Sequence, residues 1–149
     1  MIDPSIRPTW MAVLAKAQIQ DLEEAWASLR DQPEYEFLRP PEIGLFMIQA
    51  RVGGNGGPFH LGEVTVTRCT LRLKKGQQGT AYVMGHNPRH AELAALFDAL
   101  LQDPARHHFL MEGLIEPLKR KNQMRRAELA ERAARTKVEF FTLARGEDS

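Results

Sequence analysis

Four of the eleven glycines fall within five consecutive positions, Gly53-Gly54-Asn55-Gly56-Gly57, between two runs rich in strand-forming residues. Glycine and asparagine reach positive φ at low cost, so this cluster reads as the tip of a β-hairpin or as a nest of backbone amides. The chain must therefore reverse here and pair its flanking runs. Arg51 closes the incoming run and Arg68 lies inside the outgoing one. Guanidinium and amide donors of this kind suit a phosphate-sized anion, which makes Arg51, Gly53, Gly54, Gly56 and Arg68 the candidate phosphate-contact residues. Such tips more commonly serve only to reverse the chain.

Around the hairpin the pattern predicts an α+β fold. Thr9 is a plausible N-cap for a helix whose Trp10, Val13, Leu14 and Ala17 share one face. Asp21 and Glu24 form a capping-box pattern before a second helix with Leu22, Ala25, Trp26 and Leu29 on its apolar stripe. Pro33 and the Pro40-Pro41 pair bracket a short strand, Tyr35 to Arg39. From Ile43 to Val52 the residues are densely apolar, which predicts a central strand covered on both faces. In the next strand the apolar residues move from the even face (Val64, Val66) to the odd (Cys69, Leu71, Leu73), implying a bulge or a change of cover near Thr67. A last strand, Thr80 to Gly85, completes an expected four-stranded antiparallel meander packed with N-terminal, middle and long C-terminal helices.

Asn87-Pro88 opens a helix carrying Leu93, Leu96, Phe97, Leu100 and Leu101, and Asp103-Pro104 restarts one beyond it. Pro117 is expected to open a long basic helix. Between Pro117 and Lys137 stand eight basic residues against Glu128 and Glu131, so this segment carries +6 while the rest of the chain carries −5. Segregated charge favours an acidic partner surface, a polyanion or a neighbouring subunit, although a solvated helix face has the same composition. The closing segment 138–146, with Phe140 and Phe141, reads as an aromatic tail that docks on the sheet or on another subunit.

At 149 residues and 43% hydrophobic, the chain suits one domain, 1–149, with a true core. One cysteine, Cys69, leaves no internal disulfide, and Met1 to Pro8 lacks the apolar stretch of a signal peptide, so the expected location is the cytoplasm, with no membrane span. Catalytic patterns are sparse. His86 and His90 have helical ligand spacing, but Asn87-Pro88 starts the helix between them. His107 and His108 would diverge on a helix, so no metal site is expected. Cys69 has no activating base nearby in sequence and suits a buried apolar role. His90 and Glu92 could orient a substrate or simply decorate a helix start. No catalytic residue is assigned.

Several segments taken in order carry a family resemblance: Trp10-Met-Ala-Val-Leu-Ala, Tyr35-Glu, Leu38-Arg, Gln49-Ala-Arg-Val-Gly-Gly-Asn-Gly and Thr65-Val-Thr-Arg. His90-Ala-Glu, Asp98-Ala-Leu-Leu-Gln and Val138-Glu-Phe-Phe-Thr-Leu-Ala-Arg-Gly complete the set. From about Arg7 to Gly146 the chain resembles the small G subunits of the bacterial carbon-phosphorus lyase core complex. The resemblance implies a non-autonomous subunit in organic phosphonate catabolism. It would support synthesis of α-D-ribose 1-methylphosphonate 5-triphosphate from ATP and an alkylphosphonate, with release of adenine. It further implies H, I and J subunits and an ATP-binding-cassette protein as partners, two copies in a symmetric hetero-oligomer, and ATP and magnesium used by the complex. No cofactor is expected on this chain. The competing reading is a free-standing regulator or nucleic-acid-binding module with a helix pair and a hairpin wing. Against it, the glycine tip carries no basic residue and the basic segment lacks aromatic residues for stacking on bases.

Overall fold

The computed structural model describes residues 2–51 and 58–147, with side chains for 2–47 and 62–137. A 3₁₀ turn, Pro4–Ile6, leads into α1 (Arg7–Lys16) and α2 (Ile19–Ser28), followed by β1 (Tyr35–Arg51), β2 (Pro58–Leu73) and β3 (Gln78–Met84). Then come α3 (Pro88–Leu101), α4 (Pro104–Leu110), one π-helical turn (Met111–Ile115) and α5 (Glu116–Glu147). Asp3 caps the first turn by accepting from the Ser5 N–H at 2.9 Å, so helix begins before Thr9 rather than after it. Gln18, not Asp21, is the N-cap of α2. Asp21 lies in its first turn and accepts from the Lys121 ammonium of α5 at 3.0 Å.

The described sheet has three strands in the order β1-β2-β3, all antiparallel, and not the four expected. The segments Tyr35–Arg39 and 43–51 are one continuous strand. Pro40 and Pro41 fall where the register slips, between the Arg39–Thr70 and Glu42–Arg68 pairs. Proline lacks the N–H a ladder needs, but an edge strand can absorb it at a bulge without losing its pairing. The apolar part of β1 is accordingly an edge rather than a central strand, and β2 occupies the middle.

Helix α3 lies on the inner face of the sheet, and eleven of its residues, from His90 to Leu101, are buried. It meets Thr67, Cys69, Leu71 and Leu73 of β2 with Ala81 and Val83 of β3, which makes the odd positions of β2 the core face. The switch near Thr67 is thus a change of cover, since β2 and β3 stay in register from Val66 to Arg72. Gly79 lets β3 approach α3 so closely that an added Cβ would collide with the Ala95 carbonyl oxygen. Trp10, Val13, Leu14, Leu22, Leu110, Leu114, Ile115 and Leu118 close the core from the other helices. A fully buried leucine or isoleucine contributes roughly 1.5–3 kcal/mol relative to its exposed state. The 138–146 segment continues the backbone of α5, and its side chains lie outside the described residues.

Candidate functional site

The feature that sets this fold apart is a two-stranded arm. Strand β3 pairs with β2 only between Val66 and Arg72, whereas β1 and β2 run on together from Leu45–Thr65 to Arg51–Pro58, roughly 20 Å of ribbon. Paired residues share a face. Leu45 and Met47 continue the core face past the helices, and Phe46 with Val64 occupies the outer face. Leu45 is 68% exposed and Met47 59%, and Ile43 and Phe46 are exposed as well. A two-stranded ribbon is only marginally stable in water, and one that is apolar on both faces calls for a partner to cover it.

Where β3 joins, the outer face becomes polar. Arg68 Nε donates to Glu42 Oε1 at 2.7 Å, Arg72 pairs with Glu36 in the same way, and Tyr82 and Met84 stand exposed beside them. The Arg68 side chain is half-buried and paired within the fold. The Arg51 backbone ends β1 opposite Pro58, and its side chain lies outside the described residues, as do Gly53, Gly54 and Gly56 entirely. Arg68 stands ten residues along β2 from Pro58, about 30 Å of strand. Arg51 and Arg68 are therefore not neighbours: Arg68 belongs to the root of the arm, and the Arg51 backbone to its far end.

Two buried or half-buried networks, invisible to motif reading, tie the layers together. Asp98, fully buried on α3, accepts from Arg7 Nε at 3.1 Å and Arg7 Nη2 at 2.8 Å, from Trp10 Nε1 at 2.8 Å, and from the Thr80 N–H at 2.9 Å. That one carboxylate joins α1, α3 and the edge of β3. Its hydrogen bond to Arg7 holds the guanidinium more firmly protonated than usual. In the second network Arg89 donates to Glu23 at 2.7 Å and to Glu92 at 3.0 Å, while Tyr35 donates to Glu92 at 2.5 Å. Burial first, and then Glu92, push the Tyr35 phenol up to about 12. Trp10, Tyr35, Glu92 and Asp98 all fall in the segments that carry the family resemblance, and Asp98 interrupts the Leu93–Leu101 apolar stripe, but nothing in the sequence says which of them pair.

Most of the remaining chemically active side chains are committed to structure. His90 is buried with Nε2 donating to the Leu14 carbonyl at 2.9 Å, while His86 is exposed. His107 Nδ1 contacts the Leu101 carbonyl at 2.8 Å, and His108 faces Glu112. Cys69 is buried, and desolvation followed by the Glu92 charge pushes its thiol up to about 12, which removes the thiolate a nucleophile requires. Among the described residues no three His, Cys, Asp or Glu side chains are grouped to hold a metal ion, and no helix is long and apolar enough to cross a membrane.

A groove of about 430 Å³ runs between α1 and α5. Val13 and Leu129 give it apolar walls, and Lys16, Lys119, Arg125 and Arg126 surround it. Arg125 Nη2 donates to the Lys16 carbonyl at 2.8 Å, and Asn122 Nδ2 to the Val13 carbonyl at 3.2 Å, which hold the two helices together. Beyond this seam α5 stands clear of the body, with residues 126–137 all exposed.

The profile of the family described as phosphonate metabolism protein PhnG matches residues 5–146. A relative from Rhizobium meliloti (strain 1021) is named alpha-D-ribose 1-methylphosphonate 5-triphosphate synthase subunit PhnG. It is 43% identical over 138 residues, which cover 93% of this chain and 88% of that one.

Proposed function

This chain belongs to the PhnG family of phosphonate metabolism proteins, and from that premise we propose that it is a non-autonomous subunit of an α-D-ribose 1-methylphosphonate 5-triphosphate synthase. The reaction assigned to the assembly is transfer of an alkylphosphonate to the ribose of ATP, with adenine leaving. H, I and J subunits and an ATP-binding-cassette protein are the proposed neighbours, in a cytoplasmic hetero-oligomer with two copies of each core subunit and with magnesium-bound ATP as substrate.

The observation that carries this reading is the apolar arm. Ile43, Leu45, Phe46 and Met47 are already partly shielded, so full cover by a neighbour would add roughly 1 kcal/mol for each, before the cost of association. The buried Asp98, His90 and Cys69 and the half-buried Glu92 are engaged in the protein's own packing, which favours a structural part in a site built mainly by other chains. Any contact with substrate phosphate is assigned to the far end of the arm, through Arg51 and the amides of Gly53, Gly54 and Gly56, with Arg68 bracing its root.

Co-expression of this chain with the other synthase subunits, followed by size-exclusion chromatography and an assay of adenine release from ATP and methylphosphonate, tests the proposal. The double variant Leu45→Asp, Met47→Asp should fold normally but fall out of the complex, with adenine release reduced at least tenfold. A complex lacking this chain that releases adenine at the full rate would overturn the reading.

A further inference from the structure

We propose that the α1–α5 groove is a second docking surface, built for an acidic protein segment that places an apolar side chain between Val13 and Leu129. The inference rests on the assembly reading for the identity of its neighbours, but not on the arm. Residues Lys119, Gln123 and Arg126 lie on one ridge of α5, and Asn122, Arg125 and Leu129 on the next, at the i, i+3/i+4, i+7 spacing of one helix face. Lys16 brings a further cation from α1. Of the eight basic residues between Pro117 and Lys137, only Lys121 is in an ion pair among the described residues, and it faces Asp21 outside this groove. Cations held at fixed spacing beside an apolar cleft have a complement in carboxylates flanking a leucine- or methionine-sized side chain.

Leu129 is 65% exposed on a stretch of α5, Arg125 to Lys137, whose other large side chains are all charged or polar, and it takes no part in the protein's own core. A protein occupant fits better than nucleic acid. The groove lining contains no aromatic side chain for base stacking, and Glu128 and Glu131 interrupt the basic run on α5, where a phosphate backbone would be repelled. Arg125 is a positioning residue here, because its guanidinium already bridges the Lys16 carbonyl and the Asn122 side chain. Lys119 and Arg126 are left to meet the carboxylates.

The test places a photo-cross-linking amino acid at Gln123 in the full chain, co-expressed with the other synthase subunits, and maps the adduct by mass spectrometry. The expected product joins Gln123 to a Glu- and Asp-rich segment of a neighbouring subunit. Its yield should fall about tenfold in the Lys119→Glu, Arg126→Glu variant, which retains arm-driven co-purification. An adduct to nucleic acid, an adduct to a neutral or basic segment, or no adduct at all from an intact complex would overturn the proposal. Loss of co-purification in the Leu45→Asp, Met47→Asp variant reports on the arm, so failure of either surface is read separately.

Discussion

Asp98 shows how a single residue can be a liability unless every bond around it is made. A fully buried carboxylate is costly, and here it is offset by the Arg7 pair, the Trp10 indole and the Thr80 amide together. Asp98→Ala leaves four N–H donors, from Arg7, Trp10 and Thr80, without an acceptor in or near the core. Because Arg7 is partly open to solvent, the expected loss is about 2–4 kcal/mol, read as a lower midpoint in urea unfolding, with the slope unchanged. Tyr35 supplies a pH dependence of definite sign. Its phenol ionises at the ordinary 10.0 when unfolded and near 12 when folded, so the folded state holds the proton more tightly. That contribution is complete below pH 10 and is lost as the pH rises from 10 to 12. After allowance for solvent screening it amounts to about 1 kcal/mol, and Tyr35→Phe should flatten the stability profile in that window by this amount. An unchanged alkaline profile in the variant would show that neither burial nor Glu92 holds the proton on the folded phenol.

At the scale of elements, the contact between α3 and β3 is set by Gly79. An alanine there must push the backbone of α3 away from the sheet, and overpacking against a rigid main chain costs about 2–3 kcal/mol, so Gly79→Ala should lower the melting temperature by roughly 5–10 °C. Gly76, in an open turn with positive φ, provides the contrast: alanine there is strained but meets no neighbour. The helices were legible because local rules decided them. Asn87-Pro88 and Asp103-Pro104 mark the starts of α3 and α4, and the Trp10, Val13, Leu14 stripe faces the core. The strands were less so. Pro40-Pro41 looks like a break in any local reading, and only the sheet order reveals that an edge strand carries the pair through a bulge. The density of apolar residues from Ile43 onward suggests burial, yet Ile43, Leu45, Phe46 and Met47 stand exposed on this chain, because cover by one's own helix and cover by a neighbour select the same residues. The network around Asp98 was hidden for a different reason: Arg7 and Trp10 are 91 and 88 positions away, and no local period links them.

The whole molecule is a small, well-packed body from which two differently built surfaces extend, an apolar ribbon and a cationic helix. They should respond to salt in opposite ways. At about 1 M ionic strength the screening length falls to about 3 Å, so the exposed lysines and arginines of the α1–α5 groove lose most of their attraction for carboxylates. Salt leaves the burial of Leu45, Phe46 and Met47 intact, and strongly hydrated anions reinforce it. Washing the assembled synthase in 1 M sodium chloride, a concentration chosen on the screening argument, should therefore leave this chain bound through its arm while abolishing the Gln123 adduct. In ammonium sulfate of roughly equal ionic strength, retention should be stronger still, and the adduct should remain absent. If the chain instead washes away in salt with its arm intact, charge and not apolar burial holds it in place. The ribbon would then owe its hydrophobic faces to something other than assembly.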